Sequence, residues 1–281
     1  MREEIHKYIE KSREVDLSPY NISKFRGSIA LDYMLNSKFT PLKIKKLSSI
    51  VTKFYHPFIL SRAAQPYKRY EDKKKFSFDG YKSPKEKNIF SVIKKRKSTK
   101  KYEKKEISIQ EIYYILHYSY GIMRMDYVEG IPWHFRPIPS PGGLFSSEVY
   151  LLLLNSHMPK GLYHYRPDIN SVELIKEGDF SDFVIKSCGI DPYIESIDTI
   201  SGVIFTTTLI ERLYTKYSER SYRFMLLEVG FLAQNISLIS EALDIGTCMV
   251  GGYIDDEINE FIGIDGLLET IQNVMVIGYK K

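Results

Sequence analysis

A chain of 281 residues is long enough for one large or two modest domains, and its 43% hydrophobic and 27% charged residues, with only 17 glycines and 12 prolines, exclude a disordered or collagen-like state. The formal net charge of +5 is unevenly placed, because residues 68–105 hold 16 basic and 5 acidic side chains and the remainder is acidic. The two cysteines, Cys188 and Cys248, form no CxxC pair, which excludes a disulfide framework and points to a reducing compartment.

Residues 1 to about 80 mix short apolar clusters with Pro19, Pro41, Pro57 and Pro66, a pattern that predicts several short helices and no long strand. The Lys- and Tyr-rich stretch Tyr67 to Pro84 reads as an exposed connector, so the chain divides into residues 1–87, a mainly helical extension with a basic connector, and residues 88–281. Asn88-Ile89-Phe90 with Val92-Ile93 predicts a short capped helix that ends in the basic run Lys94 to Lys101. Ser108-Ile109-Gln110-Glu111 is a capping box, and Ile112, Ile115 and Leu116 make one helical face before Gly121. Ser147 to Leu154 predicts a buried strand, Gly161 to Tyr165 and Ser171 to Ile175 a hairpin, and Ser201 to Thr207 another strand. From Tyr222 to Leu243 there is no proline, and Phe224, Leu227, Phe231, Gln234, Leu238 and Ala242 recur at helical spacing, predicting a long, mostly buried helix. Thr247 to Val250 and Asn273 to Tyr279 close the chain as strands around a helix starting near Asp255. The pattern from residue 88 onwards is α+β, without internal repeats.

The charged start, Met1 to Lys7, lacks the apolar run of a secretory signal, and no stretch approaches 18 consecutive apolar residues, so a cytoplasmic protein without a membrane span is expected. The six histidines show neither HExxH nor Cys/His zinc spacing, and no metal site is expected. There is no Walker A loop, GxGxxG turn or GxSxG elbow.

Four local patterns carry possible chemistry. Arg96-Lys97-Ser98-Thr99-Lys100 combines cations and hydroxyls that can hold a phosphate, or it is a solvated basic face. Pro139-Ser140-Pro141-Gly142-Gly143 can present backbone amides to a flat polar ring, or it is a plain turn. Val250-Gly251-Gly252-Tyr253 ends a strand in side-chain-free backbone, which suits a cofactor edge or a tight bend. Lys216-Tyr217 offers two weak bases at neutral pH, with reference pKa values of about 10.4 and 10, and burial or a neighbouring cation would have to lower one of them before it could take a proton.

In order and spacing these segments resemble the nitroreductase-type flavoprotein family, and within it the SagB-type branch of thiazoline and oxazoline dehydrogenases. The resemblance is carried by Arg96, Ser98, Lys100 and Tyr102; by Pro139, Ser140, Gly142 and Gly143 leading to Glu148 and Tyr150; by Lys216-Tyr217 and Arg220-Ser221-Tyr222-Arg223; by Leu226 to Asn235; and by Gly251-Gly252-Tyr253 with Ile277-Gly278. It covers residues 88–281 and implies an α+β fold with a mixed or antiparallel central sheet flanked by helices, and a homodimer that binds FMN at its interface. Carried over by position, Arg96, Lys97, Ser98 and Lys100 hold the phosphate and ribityl side, with Lys280 as a further cation. Pro139, Ser140, Gly142 and Gly143 reach the cofactor from the other subunit, while Gln234, Val250, Gly251 and Gly252 line the ring.

The implied reaction oxidises a thiazoline or oxazoline of a peptide, on a ribosomal precursor or a carrier, to the thiazole or oxazole. Hydride passes to FMN, dioxygen reoxidises the cofactor, and Lys216 and Tyr217 act as the catalytic pair; the sequence leaves open which is the base. A cyclodehydratase or synthetase partner is expected and nucleic acid is not. The alternative is a generic NAD(P)H-dependent nitroreductase or flavin reductase. One departure is Phe231, where the branch usually carries histidine.

Overall fold

The computed structural model describes residues 28–190 and 194–281. The sequence-based reading of the charged start and of the first short helices lies outside the described residues. The chain forms two compact units, residues 1–48 and 49–281. In the first, helix α1 (Ile29–Asn36) is capped by Ser28, whose hydroxyl accepts from Leu31 N at 3.2 Å, and ends at Ser37, whose hydroxyl donates to the Tyr33 carbonyl at 2.6 Å. Helix α2 (Pro41–Phe54) follows, with proline at its first position, where no amide partner is needed.

The second unit runs in order through α3 (Pro57–Ala63), β1 (Lys75–Ser77), α4 (Ile89–Lys95), β2 (Tyr102–Glu103), α5 (Ile109–Tyr120) and the hairpin β3 (Arg124–Val128) and β4 (Ile131–Phe135). It continues through β5 (Ser147–Leu153), β6 (Gly161–Arg166), β7 (Ser171–Glu177), α6 (Ser181–Ser187), β8 (Gly202–Leu209), α7 (Glu211–Tyr217), α8 (Ser221–Ala242), β9 (Ile245–Val250), α9 (Asp255–Ile262) and β10 (Glu269–Lys280). Eight strands form one sheet in the order β1-β7-β6-β5-β8-β10-β2, with β9 also paired to β10. All its strand pairings are antiparallel. This is the α+β fold with an antiparallel central sheet that the sequence predicts.

The sheet is buried on both faces, so its central strands β5, β6 and β8 are buried almost throughout rather than on alternate residues. Along β5, Val149, Leu151 and Leu153 enter one core with Ile112, Ile115 and Leu116 of α5 and Leu232 and Ile236 of α8. Tyr150, Leu152 and Leu154 face the other core, with Val184 of α6 and Ile258 and Ile262 of α9. The capping box of α5 forms as predicted: Ser108 accepts from Glu111 N, and the Glu111 carboxylate accepts from Ser108 N at 2.9 Å. Residues 211–242 are long and apolar enough to cross a membrane by length and composition, yet half of that stretch is packed inside the fold.

Two expectations need correction, and one element carries no sequence signal. The stretch Tyr67 to Pro84 is not an exposed connector: β1 pairs with β7, Phe78 is buried, and Lys68 reaches Glu269 at 2.6 Å. The spaced residues Leu227, Phe231 and Gln234 do not face the core. The buried side of α8 is instead Met225, Glu228, Val229, Leu232, Ala233, Ile236 and Ser240. The β3–β4 hairpin was not predicted, because its turn is Glu129-Gly130, both at positive φ (49° and 78°), without the Asn-Gly or Asp-Gly signal of such turns.

Candidate functional site

The sequence-predicted residues assemble in two groups. The first forms where α4 ends. Asn88 caps that helix through Ser91 N at 3.2 Å, and the chain leaves it at Arg96 to run beside the end of β9. Ser98 bridges Thr247 in parallel, and Thr99 N donates to the Thr247 carbonyl at 2.8 Å. This close approach requires Gly246, because a Cβ there would lie 2.5 Å from Thr99 Oγ1. Residues 102–103 then pair with the end of β10, so the segment from Arg96 to Lys100 runs beside the first half of β9, at Thr247, before it reaches the C-terminal strand.

Strand β9 runs directly into Val250, Gly251 and Gly252. Val250 is buried and both glycines are exposed; a Cβ at either would meet no atom of the chain within 4 Å. Lys280 lies at the other end of β9, because Tyr279 pairs with Ile245 whereas Val250 pairs with Val274. It stands beside Tyr102 and is paired with Glu241 at 2.7 Å, so the fold does not bring it to Gly251 and Gly252 and its charge is already partly committed. Gln234 stands on the exposed side of α8.

The second group is built on the loop before β5. Ser140 holds the loop, its hydroxyl accepting from Phe145 N at 2.9 Å and its carbonyl from Gly143 N at 2.9 Å. Trp133 of β4 donates its indole N–H to the Gly143 carbonyl at 2.9 Å. Pro139, Pro141 and Gly142 are thereby set on a rigid, partly exposed turn, with Gly142 at φ +69°. A Cβ at Gly142 would lie 2.8 Å from Tyr217 Oη and 3.0 Å from Lys216 Nζ. The fold thus brings the Pro-Ser-Pro-Gly-Gly loop and the Lys-Tyr pair, more than 70 residues apart in sequence, to one point.

Lys216 occupies the last turn of α7 and is 8% exposed. Its ammonium lies 4.5 Å from the Phe54 ring centroid, 5.4 Å from that of Tyr55 and 5.6 Å from that of Tyr217. Burial lowers the lysine pKa, because the charged form loses hydration. Burial, with a smaller contribution from Tyr55, raises that of Tyr217. The two groups are pushed in opposite senses, so Lys216 moves toward a neutral amine and Tyr217 stays a phenol.

Helix α7 is tied to the sheet by Arg212, which donates to the Phe145 carbonyl at 3.0 Å and pairs with Glu148 of β5. Glu148 also meets His164 Nε2 at 2.7 Å, and His164 meets Glu173, which pairs with Arg166 at 2.6 Å. Burial alone would raise the Glu148 pKa, but Arg212 and His164 hold it well below the ordinary carboxylate range. Phe54, Tyr55, Trp133 and Arg212 escape the sequence reading. Phe54 and Tyr55 lie far in sequence from the motifs they support, whereas Trp133 and Arg212 stand six residues before Pro139 and four before Lys216.

The nitroreductase family profile matches residues 93–279. The chain is 28% identical over 174 residues to a Methanocaldococcus jannaschii protein named as a nitroreductase, covering 62% of this chain and 83% of that protein. It is 25% identical over 135 residues to the microcin B17-processing protein McbC of Escherichia coli, covering 46% of this chain and 49% of McbC. Among solved structures, a nitroreductase-named protein of Anabaena variabilis superposes with a TM-score of 0.70 at 24% identity, over 89% of this chain and 46% of that one. A chain of the E. coli microcin synthetase McbBCD complex with truncated pro-MccB17 bound does so at 0.57 and 18%, over 87% and 98%. This chain therefore spans about half the length of McbC and of the Anabaena protein. With two thirds of its residues inside the matched profile, the chain belongs to the nitroreductase family.

Proposed function

We propose that the protein is an FMN-dependent oxidoreductase of the SagB-type branch that dehydrogenates a thiazoline or oxazoline ring in a peptide. The observation that carries this reading is buried Lys216 with half-buried Tyr217 at the Gly142 loop, a base placed to remove a carbon-bound proton, which reduction of a nitro group or free flavin does not call for. The similarity to McbC, a protein named for processing microcin B17, supports the same direction.

The donor set fits FMN. Arg96, Lys97, Ser98 and Lys100 offer cations and a hydroxyl for a phosphate monoester beside β9, the strand that leads into the bare backbone of Gly251 and Gly252. When bound, FMN supplies the two-electron acceptor for the hydride that leaves one ring carbon. Lys216, with its pKa lowered by burial, takes the proton from the neighbouring carbon. Tyr217 remains protonated and donates a hydrogen bond that orients the lysine or the ring heteroatom. The rings of Phe54 and Tyr55 keep water from the amine and hold the ammonium that forms. A homodimer, with Pro139, Ser140, Gly142 and Gly143 of one subunit facing the cofactor of the other, would unite the two residue groups. A synthetase or cyclodehydratase partner would deliver the peptide.

The test is anaerobic mixing of the FMN-loaded protein with a thiazoline-bearing peptide, followed by mass spectrometry. Loss of two hydrogens from the peptide together with bleaching of flavin absorbance is the expected result. Rapid bleaching by NAD(P)H with no change in the peptide would favour the second reading, a nitroreductase, to which the broader match with the M. jannaschii protein also points.

A further inference from the structure

A groove adjoins the Lys216 pocket without belonging to the two residue groups above. Its inner hollow, about 410 Å³, is walled by Phe54, Phe58, Ile59 and Leu144, with Thr215 and Glu211 of α7 at its end. An outer hollow of about 400 Å³ shares Arg62, Gln65 and Tyr67 with it and adds Ser61 and Arg69. Together they form one trough that runs from the apolar end out to the two arginines, large enough for several amino-acid residues.

Phe54 gives the trough its meaning. The same ring that lines its inner end stands 4.5 Å from Lys216 Nζ, and Leu144 follows directly on the Gly142-Gly143 turn. A chain whose ring reaches Lys216 therefore has its neighbouring residues at the inner, apolar end of this trough. Charge is distributed along it. Arg212 is committed to Glu148, while Arg62 is exposed, and Arg69 stands at the edge of ion-pair distance, 4.0 Å from Asp168, with half its side chain in solvent. The outer hollow is lined by Arg62 and Arg69 with no carboxylate, whereas Glu211 lies at the inner end.

We propose that this trough binds the substrate peptide beside its heterocycle, taking a bulky apolar side chain between Phe54, Phe58 and Leu144 and an acidic residue against Arg62 and Arg69. The inference rests on the azoline-oxidase reading for the nature of the peptide, while its specificity rests on the trough alone. Guanidinium groups favour carboxylates through charge-assisted, fork-shaped hydrogen bonding, so the outer part discriminates by sign and the inner part by size. Neither arginine lies in the core, and both are open to substitution without loss of packing.

The experiment measures fluorescence anisotropy of two labelled pentapeptides, Gly-Phe-Asp-Glu-Gly and Gly-Phe-Lys-Lys-Gly, with the FMN-loaded protein at low salt. The acidic peptide should bind at least tenfold more tightly, and Arg62→Glu should abolish or reverse that preference. Phe58→Ala should weaken the acidic peptide about tenfold while keeping the preference for it, a pattern that general surface charge does not produce. Equal affinity for the two peptides, or a preference unchanged in Arg62→Glu, overturns the proposal. Azoline turnover is measured separately on a peptide without acidic residues: its failure removes the oxidase reading whatever the anisotropy shows, and its success with no binding preference removes the trough.

Discussion

Lys216 has little access to water, and among the described residues its ammonium faces the rings of Phe54, Tyr55 and Tyr217 with no carboxylate at ion-pair distance. Its pKa is lowered in the folded chain, so unfolding takes up a proton and the lysine opposes folding more strongly as pH falls below its ordinary value of about 10.4. Lys216→Met should therefore raise or preserve the melting temperature at neutral pH while slowing azoline turnover by about 10²–10⁴-fold, the usual worth of a general base. Thermal melts and single-turnover kinetics check this; a variant with full activity removes Lys216 from the mechanism. Gly142 makes a complementary case. Its φ of +69° costs an alanine about 1 kcal/mol, and the atoms a Cβ would strike are the tips of two flexible side chains, which can move aside. Gly142→Ala should thus cost only a few degrees of stability but displace the Lys-Tyr pair, lowering turnover at least tenfold with FMN still bound.

At the level of elements, α7 is a seven-residue helix whose position depends on one guanidinium. Arg212 joins it to β5 through Glu148 and to the loop through the Phe145 carbonyl. Arg212→Ala leaves Glu148 buried with its main cation gone, a loss of about 3–5 kcal/mol in denaturant titrations. The chain of buried charges behind it predicts stability that falls on both sides of neutrality. Glu148 and Glu173 have depressed pKa values in the fold, so their contribution is present above the ordinary carboxylate value and is lost as pH falls through their folded values. Burial would lower the His164 pKa, but its bonds to Glu148 and Glu173 raise it, so its contribution is present below about 6.5 and is lost as pH rises through the folded value. Denaturation midpoints across pH should show both limbs, and His164→Gln should flatten the alkaline one.

On the scale of the whole molecule, α8 presents Tyr222, Leu226, Leu227 and Phe231 on one exposed side, from 40% to 54% accessible. These recur at four- and five-residue spacing, which makes a continuous apolar stripe of the kind that covers itself on a second copy. Sedimentation should give a dimer, and the double variant Leu226→Asp/Leu227→Asp should sediment as a monomer with FMN lost. The same helix shows where sequence reading stops. Its 3.6-residue period is plain, but two apolar faces exist, and hydrophobicity alone does not tell exposed Leu227 and Phe231 from the residues that pack inward. The true core side joins Met225, Val229, Leu232 and Ile236 with small or polar residues, Ala233, Ser237, Ser240 and the buried Glu228, which accepts from Ser147 N at 2.8 Å.

Apolar runs, the Ser108 capping box and turn residues were sufficient to locate the long strands, the helices α4, α5, α8 and α9, and the α+β class, because those signals act over a few residues. The ordered motifs nominate Arg96 to Lys100, the Gly142 loop, Lys216-Tyr217 and Gly251-Gly252 one by one as candidates. Only the tertiary structure decided that Lys216 meets Gly142, that Phe54 and Tyr55 enclose it, and that Lys68, read as part of a solvated basic stretch, is an internal partner of Glu269. The reason is physical. Burial lowers the Lys216 pKa, and Coulomb attraction to a buried carboxylate consumes the Lys68 charge. Both depend on which residues are close in space, and no local pattern in the chain encodes that.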